Sequence, residues 1–188
     1  MATTADIKKD LFLNFKDAIC SVVEFQFVNP GKGSAFVRVR LKNVQTGKVI
    51  EHTWKSGEDI DVVDLERVNM QYLYKDADNY QFMDNNSYEQ HGIPVDVLGE
   101  KGQWLKEGQE VIVLMHGPTA LSVSLPMKLK FKVTEAMPAV KGDTSSGRVL
   151  KEVTLETGAV VKVPIFIEQG EDIIVNTETG EYVERATN

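Results

Sequence analysis

Apolar and polar residues alternate with a period of two along most of the chain, which is the pattern of half-buried β-strands. Turn residues such as Gly, Asn, Asp and Pro separate these runs. No stretch keeps a helical period over a useful length, and short helical turns are expected only at 88–90 and 95–98. The pattern therefore predicts an all-β chain of small barrels. The predicted strands are 21–28, 36–44, 49–54, 71–74, 80–83, 121–125 and 128–133.

The run at 36–44 has an apolar face and a basic face. Valine and leucine occupy one set of alternate positions, and cations occupy the other set. The run at 128–133 repeats this arrangement with three lysines. Such a face is most often simply solvated, but two three-cation stripes in an acidic chain also suggest contacts to phosphate. The candidate RNA-binding residues are Arg38, Arg40 and Lys42.

The sequence NPGKG at 29–33 lies between two of these runs and places Lys32 at the crest of a tight turn. Pro30 suits the second position of a turn, and Gly31 is expected to accept a positive φ. Gly33 has no side chain to crowd the lysine. Pro30, Gly31 and Gly33 are therefore the predicted scaffold of an exposed cationic arm. A lone turn lysine is usually only solvated, so the interpretation depends on the rest of the chain.

A repeat is visible within the sequence itself. Residues 104–113 match residues 166–175 at an offset of 62. Each copy has an aromatic–aliphatic pair, then two residues, a glycine, two polar residues and three β-branched or aliphatic ones. A chance strand-turn-strand match is the alternative to two homologous barrels of the OB type, which commonly bind nucleic acid. The repeat predicts domains at 1–64, 65–127 and 128–188.

The charge is unevenly distributed along the 188 residues, whose formal net charge is -7. Residues 1–64 have a net charge of 0, residues 65–127 of -5 and residues 128–188 of -2. The window 29–55 holds six cations and one acidic residue. Because the local field sets the attraction to RNA, this distribution favours contact with RNA at selected places.

Other classes of protein lack support in the sequence. No stretch is long and apolar enough for a membrane span, and the start has no apolar run of a secretory signal, so a cytoplasmic location is expected. Cys20 lies in an apolar run, which predicts a buried structural thiol. The three histidines have no metal-ligand spacing, and Gly33 follows Lys32 where a Walker A motif needs Ser or Thr. We therefore expect no catalytic residue, cofactor or metal.

Four motifs in order over the whole chain resemble bacterial translation elongation factor P. The first is PGKG at 30–33 followed by AFVRVRLKN at 35–43. The second comprises QYLY at 71–74, YQFMD at 80–84 and YEQ at 88–90. The third comprises KGDT at 141–144 and the stretch 155–170, and the fourth is TGEYVER at 179–185. Four ordered motifs are far more specific than any one of them.

The resemblance implies an L-shaped molecule of three β domains, a KOW/SH3-like barrel followed by two OB folds. It also implies a monomeric factor that binds the ribosome between the peptidyl and exit tRNA sites and relieves stalling at consecutive prolines. Such a factor needs no nucleophile of its own, because holding the peptidyl-tRNA in a reactive geometry lowers the barrier by orientation. No membrane partner is implied.

The resemblance also assigns roles to particular residues. Lys32 matches the loop lysine that approaches the CCA end of the peptidyl-tRNA in the P site and that a lysine-modifying enzyme extends in many members. Tyr182 and Arg185 match positions that contact the small subunit or tRNA, and a barrel-closing tyrosine with a surface arginine is the equally weighted alternative. The residues that match the loop near the exit-site codon are Gly142, Asp143, Thr144 and Gly147.

Three positions depart from the family pattern. Asn29 and Glu178 stand where cations are common, and the Asp17–Ala18 pair replaces a frequent Asp-Gly turn. The first two departures each remove a cation, which predicts modestly weaker and less salt-dependent binding to RNA. Asn29 also leaves open which modification system, if any, acts on Lys32.

Two other functions remain open on the residues alone. The first is an OB-fold protein for free single-stranded nucleic acid, which requires exposed aromatic rings; Trp54, Trp104 or Phe82 on a barrel face would favour it. The second is an enzyme with Lys32 as nucleophile, which requires a desolvated lysine with a depressed pKa. An exposed turn flanked by glycine is a poor place for such a lysine.

Overall fold

The computed structural model describes residues 2–138 and 149–186, and β-strands dominate this part of the chain. Its helical elements are one α-helical turn, α1 (Val95–Leu98), and 3-10 turns at Thr4–Asp6 and Gly99–Trp104. The prediction of an all-β chain is confirmed, and so is the helical turn at 95–98. No helix in the described ranges has the length and apolarity to cross a bilayer.

The first sheet is formed by six strands from the N-terminal third of the chain, in the order β1-β6-β2-β3-β4-β5. β3 and β4 pair antiparallel along most of their length, with a bulge between Val22 and Glu24. Alternate residues of these strands and of β2 fill the core, where Leu13, Val22 and Val37 have no exposed surface. The strands are β1 (Ala2–Thr3), β2 (Phe12–Phe15), β3 (Ala18–Val28), β4 (Phe36–Asn43), β5 (Val49–Lys55) and β6 (Asp59–Val62).

The second sheet has five strands in the order β11-β10-β7-β8-β9. The predicted hairpin forms between β7 and β8, and the carboxylate of Asp76 accepts hydrogen bonds from the backbone N–H groups of Asp78 and Asn79 in its turn. Gly102 lies where a Cβ would collide with the hydroxyl of Tyr80, so the 3-10 turn packs closely on this sheet. The strands are β7 (Glu66–Lys75), β8 (Asn79–Asp84), β9 (Gln90–Pro94), β10 (Glu110–His116) and β11 (Thr119–Ser124).

The third sheet has five strands in the order β14-β13-β12-β15-β16. β12 lies at its centre and pairs antiparallel with β13 and β15. Phe131, Ile167 and Ile173 are fully buried in its core. The strands are β12 (Lys128–Ala136), β13 (Leu150–Leu155), β14 (Val160–Pro164), β15 (Asp172–Asn176) and β16 (Tyr182–Arg185).

Contacts divide the chain into two compact units, residues 1–68 with 113–122 and residues 69–112 with 123–188. The predicted boundary at 64/65 falls in a short connection without strand structure, and the boundary at 127/128 falls where β12 begins. The three-domain division and the L-shaped arrangement stay predictions.

The predicted helical turn at 88–90 is wrong. Tyr88 follows the three-residue turn 85–87 with a positive φ of 59°, and β9 begins at Gln90. The carboxylate of Asp84 organises this turn by accepting hydrogen bonds from the backbone N–H groups of Asn86 and Ser87, at 2.7 and 3.2 Å. Asp-capped turns of this kind compete with helix formation, which explains the difference.

The repeat seen in the sequence recurs in the backbone hydrogen bonds. Gly108 donates to the carbonyl of Tyr72 at 2.9 Å, and Gly170 donates to the carbonyl of Val133 at 2.8 Å. Both glycines have positive φ, 80° and 88°. The N–H groups of Tyr72 and Val133 return hydrogen bonds to the residues that follow the glycines. This agreement in conformation and bonding favours homologous units over chance.

Candidate functional site

Lys32 lies in the connection between β3 and β4, residues 29–35, and is exposed. The base of this loop is well fixed, because Val28 and Phe36 form the last strand pair and the Ser56 N–H donates to the Ala35 carbonyl at 2.9 Å. A Cβ built on Gly31 would meet no atom within 4 Å outside its chain neighbours, so the space beside Gly31 is open. The hairpin therefore presents a free cation beyond the end of a long paired ribbon.

The glycine with a positive φ in this loop is Gly33, at 117°, whereas Gly31 has no positive φ. The expectation for Gly31 is therefore wrong, and the left-handed residue follows the lysine instead of preceding it. A Cβ on Gly33 would lie 3.8 Å from Cγ of Pro30, so proline and glycine close the two ends of the tip against each other. Conformational freedom at Gly33 is what turns the chain back into β4.

The predicted basic face of β4 is present, but Arg40 is not a free cation. Its guanidinium lies 3.3 Å from the carboxylate of Glu24 on β3 and 3.6 Å from that of Glu51 on β5. Strand register places these three residues side by side across the sheet. Two carboxylates beside one guanidinium leave this part of the face with no net positive charge.

Arg38 and Lys42 have neutral neighbours. The residues opposite Arg38 are Gln26 and Thr53, and those opposite Lys42 are Ser21 and Val49. Both side chains lie on the exposed face of β4. Within the predicted set, these two cations are better placed than Arg40 to attract phosphate, because nothing beside them cancels their charge.

The aromatic residues that would favour binding of free single strands are mostly buried. Phe82 has no exposed surface and Trp104 is 4% exposed. Trp54 is half-buried, with its ring edge-on to those of Phe15 and His52 at 5.8 and 4.7 Å. Stacking of bases on these rings would require exposed faces, which Phe82 and Trp104 lack.

Cys20 is buried in the first core, as predicted, and burial raises the pKa of its thiol. A raised pKa keeps the thiol protonated, so it acts as a small apolar side chain and not as a nucleophile.

The predicted contact residues Tyr182 and Arg185 lie at the two ends of β16. Tyr182 is partly buried against the third core. Nη2 of Arg185 lies 3.1 Å from Oε1 of Glu171, and the guanidinium carbon lies 5.4 Å from the ring centroid of Phe166. Tyr182 therefore packs on the third core and Arg185 is held at the surface by its neighbours, while their contact with the tRNA or the small subunit stays a prediction.

Gly142, Asp143, Thr144 and Gly147 lie outside the described residues, so their predicted place near the exit-site codon stays a prediction.

The sequence alone did not identify the partners that hold the cations. Lys106 donates from Nζ to the carbonyl of Lys130 at 2.6 Å and lies 3.2 Å from Glu156. Phe166 under Arg185 was visible only as a member of the repeat. The available signal was its alignment with Trp104, because an aromatic residue kept at the same position in both copies suggests a contact in both.

Comparison with protein families gives three matches in order along the chain. The model for the elongation factor P KOW-like domain matches residues 3–60, and that for the elongation factor P OB domain matches residues 65–123. The model for the C-terminal part of elongation factor P matches residues 129–185. The predicted order of a KOW-like domain followed by an OB fold is therefore confirmed.

Full-length relatives give the same result. Elongation factor P of Acidothermus cellulolyticus is 45% identical over 188 residues, with 100% of both chains covered. Elongation factor P of Moorella thermoacetica is 44% identical over 186 residues, with 99% of this chain and 100% of the relative covered. Among solved structures, a translation initiation factor eIF-5A family protein from Naegleria fowleri covers 66% of this chain and 96% of its own, at 17% identity and a TM-score of 0.52, which supports the fold.

Proposed function

The chain belongs to the elongation factor P family and is a translation elongation factor, and on this premise we propose where and how it acts. It binds the ribosome between the peptidyl and exit tRNA sites. There it promotes peptide-bond formation at consecutive prolines by placing Lys32 beside the CCA end of the peptidyl-tRNA in the P site. We further propose the division into three domains at 1–64, 65–127 and 128–188.

The observation that carries the proposal is the geometry of the Lys32 loop. An exposed lysine projects from the end of the β3–β4 ribbon, on a base fixed by the Val28–Phe36 pair. A narrow hairpin of this kind can enter a cleft that is too small for a whole barrel. The single cation at its tip can contact RNA backbone without competition from neighbouring side chains.

The proposed role of this loop is to position the peptidyl-tRNA. Proline is a secondary amine with a ring that fixes φ, so it is a poorly placed partner in peptide transfer. Restricting the peptidyl-tRNA to reactive orientations lowers the barrier without any bond to the factor. An exposed lysine is sufficient for this role, whereas nucleophilic catalysis would need a desolvated one.

The remaining predicted contacts fit the same proposal. Arg38 and Lys42 supply phosphate contacts along the ribbon, and Arg40 contributes less because Glu24 and Glu51 neutralise it. Tyr182 and Arg185 contact the tRNA or the small subunit at the far end of the chain. Gly142, Asp143, Thr144 and Gly147 form the loop near the exit-site codon.

A lysine-modifying enzyme is a further proposed partner. The open space around Gly31 leaves room for an enzyme to enclose the tip and for an extended side chain to be accommodated. The test is the intact mass of the protein purified from its native host, with a peptide map of residues 29–38. A mass that matches the unmodified sequence would exclude modification under those conditions.

The proposal is tested by Lys32→Ala in a reporter whose translation requires passage through consecutive prolines. We expect loss of rescue with unchanged stability, because the side chain is exposed and surface changes of this kind stay within about 0.5 kcal/mol. Lys48→Ala is the matched control, an exposed lysine beside the turn between β4 and β5 of the same sheet. Full rescue by the Lys32→Ala protein would refute the role of the loop.

The alternative function is binding of free single-stranded nucleic acid by the OB barrels. Buried Phe82 and Trp104 do not support it. Tight binding of single-stranded RNA or DNA in the absence of ribosomes would favour it over the ribosomal role.

A further inference from the structure

Arg185 is held on two sides while half of its side chain remains exposed. The guanidinium carbon lies 5.4 Å from the centroid of the Phe166 ring, and Nη2 lies 3.1 Å from Oε1 of Glu171. The side chain nevertheless keeps 51% of its surface exposed. A guanidinium has five N–H donors, and the contact to Glu171 engages Nη2 only, so donors remain for a partner.

Glu171, one of the two groups that hold Arg185, is itself held by a hydrogen bond, and the backbone of Arg185 is paired. Oε2 of Glu171 accepts a hydrogen bond from the backbone N–H of Glu168 at 2.8 Å, while Oε1 faces the arginine. The backbone of Arg185 is opposite Ile173 in the β15–β16 ladder, and the N–H of Ala186 donates to the carbonyl of Asp172 at 2.9 Å. The arginine therefore starts from a paired strand and ends at a carboxylate that has a second hydrogen bond.

Core packing does not account for Phe166. Phe166 is 57% exposed, whereas the next residue, Ile167, is completely buried. At the equivalent position of the other repeat, Trp104 is 4% exposed and belongs to a core cluster. An exposed ring at a position that can support a buried one suggests that Phe166 is kept for a surface contact, and its contact is Arg185.

The surrounding charge explains why one arginine needs such support. Residues 160–186 contain two cations, Lys162 and Arg185, and six acidic residues. This segment by itself is acidic, so its own field does not attract RNA, although Lys130 and Lys132 of neighbouring β12 lie opposite Ile174 and Asp172. Within this segment, a contact to phosphate depends on the guanidinium of Arg185, whose planar fork matches two phosphate oxygens.

We propose that Phe166 is a positioning residue that, with Glu171, holds the guanidinium of Arg185 ready to bind an RNA phosphate. This inference rests on the proposed function, in which Arg185 contacts the tRNA or the small subunit. Phe166 acts through the arginine by restricting it to one plane. The entropy of ordering the side chain is then lost on folding and not on binding.

The test is a double-mutant cycle on binding to purified ribosomes that carry peptidyl-tRNA in the P site. Phe166→Leu keeps an apolar side chain and removes the aromatic face. We expect about two- to fivefold weaker binding, the size of an exposed cation–π contact. We expect Arg185→Ala to weaken binding about tenfold and to lower the salt slope by about one phosphate contact.

The informative results are the coupling and the salt slope. In the Arg185→Ala background, Phe166→Leu should have no further effect, because the ring has nothing left to position. Phe166→Leu alone should keep the wild-type salt slope, since no charge is removed. Val160→Ala changes an exposed apolar residue of β14, the strand before the Phe166 turn; Val160 is 56% exposed, and this matched control should bind like wild type. Thermal unfolding of each variant checks that the sheet is intact.

The possible negative results contradict different parts of the proposal. If Phe166→Leu binds like the Val160→Ala control, or weakens binding equally with and without Arg185, the positioning role is refuted. If Arg185→Ala itself binds like wild type, the proposed contact at Arg185 is wrong and the inference falls with it. The Lys32→Ala reporter result is independent of both and tests the loop separately.

Discussion

The two copies of the repeat have matching turns, but the aromatic residue at the equivalent position is buried in one copy and exposed in the other. In each copy an aromatic residue precedes a buried aliphatic one, and a left-handed glycine follows three residues later. The glycines Gly108 and Gly170 make matching hydrogen bonds. Trp104 of the first copy is 4% exposed, and Phe166 of the second is 57% exposed. The repeat thus specifies the turn, and the surroundings determine what the ring does.

Trp104 fills a core that is otherwise built by the third sheet. Its ring lies 5.8 Å from that of Phe131, and a Cβ on Gly180 would lie 3.4 Å from it. Lys106, two residues later, donates to the carbonyl of Lys130. The third sheet therefore completes its core with a residue of the preceding copy. Phe166 of the second copy lies beneath a surface arginine instead.

Truncating each ring to alanine is the strongest test of whether the two aromatic residues have different roles. Trp104→Ala should destabilise the third sheet by about 3–5 kcal/mol, because it removes a large buried ring and leaves a cavity beside Phe131. Urea unfolding of the full chain followed by circular dichroism, with hydrogen exchange to locate the loss, measures it. The transition need not be two-state in a chain with several cores, so the exchange data assign the effect.

Phe166→Ala is the matched partner of that change. It should cost less than about 1 kcal/mol, since only an exposed cation–π contact is lost. Equal losses at both positions would mean that the two rings have the same role and that the comparison is mistaken.

The shared part of the repeat is tested by Gly108→Ala and Gly170→Ala. Their φ angles of 80° and 88° lie in the left-handed region, so an L-residue there should cost about 1–2 kcal/mol at each site. Added Cβ atoms meet no close neighbour in either case, so strain and not collision sets the cost. The same denaturation assay checks it, with Gly31→Ala as a control that lacks a positive φ. Losses that differ by much more than the error would show that the two turns are not equivalent.

Strand positions followed directly from the sequence because alternation is a local signal. Val37, Val39 and Leu41 are buried as the pattern requires, and Arg38 and Arg40 are exposed. Whether a single aromatic ring is buried or exposed is not determined by the local sequence. Trp104 and Phe166 stand in equivalent sequence contexts, and only the tertiary structure distinguishes the buried ring from the exposed one.

The conformation of the Lys32 loop and the pairing of charged side chains also could not be predicted from the sequence. Gly31 and Gly33 are equally permissive, and the path of the chain back into β4 selects Gly33 for the positive φ. Arg40 looked like Arg38 in the sequence. Its neutralisation depends on the register that brings Glu24 and Glu51 beside it, and that register includes a bulge in β3. Pairing across strands is set by such irregularities, which alternation does not predict.

The smallest predicted difference between the two copies is in the pH dependence of stability, and it concerns Asp172 and the equivalent residue, Glu110. Nζ of Lys130 lies 3.0 Å from Oδ2 of Asp172, and this hydrogen bond holds the pKa of the carboxyl below its usual value. A depressed pKa contributes stability above the unfolded pKa of about 3.9 and loses it as the pH falls through the folded value. Asp172→Asn should therefore lose less stability than wild type on acidification below about pH 4.

Urea denaturation between neutral and acidic pH measures this, and Glu110→Gln is the matched control. Asp76 and Asp84 also have lowered pKa values, through hydrogen bonds that their carboxylates accept, so every variant still loses stability in acid. The difference between Asp172→Asn and wild type isolates one carboxyl. If both lose stability in parallel, the ion pair with Lys130 contributes nothing in solution, as is common for exposed pairs.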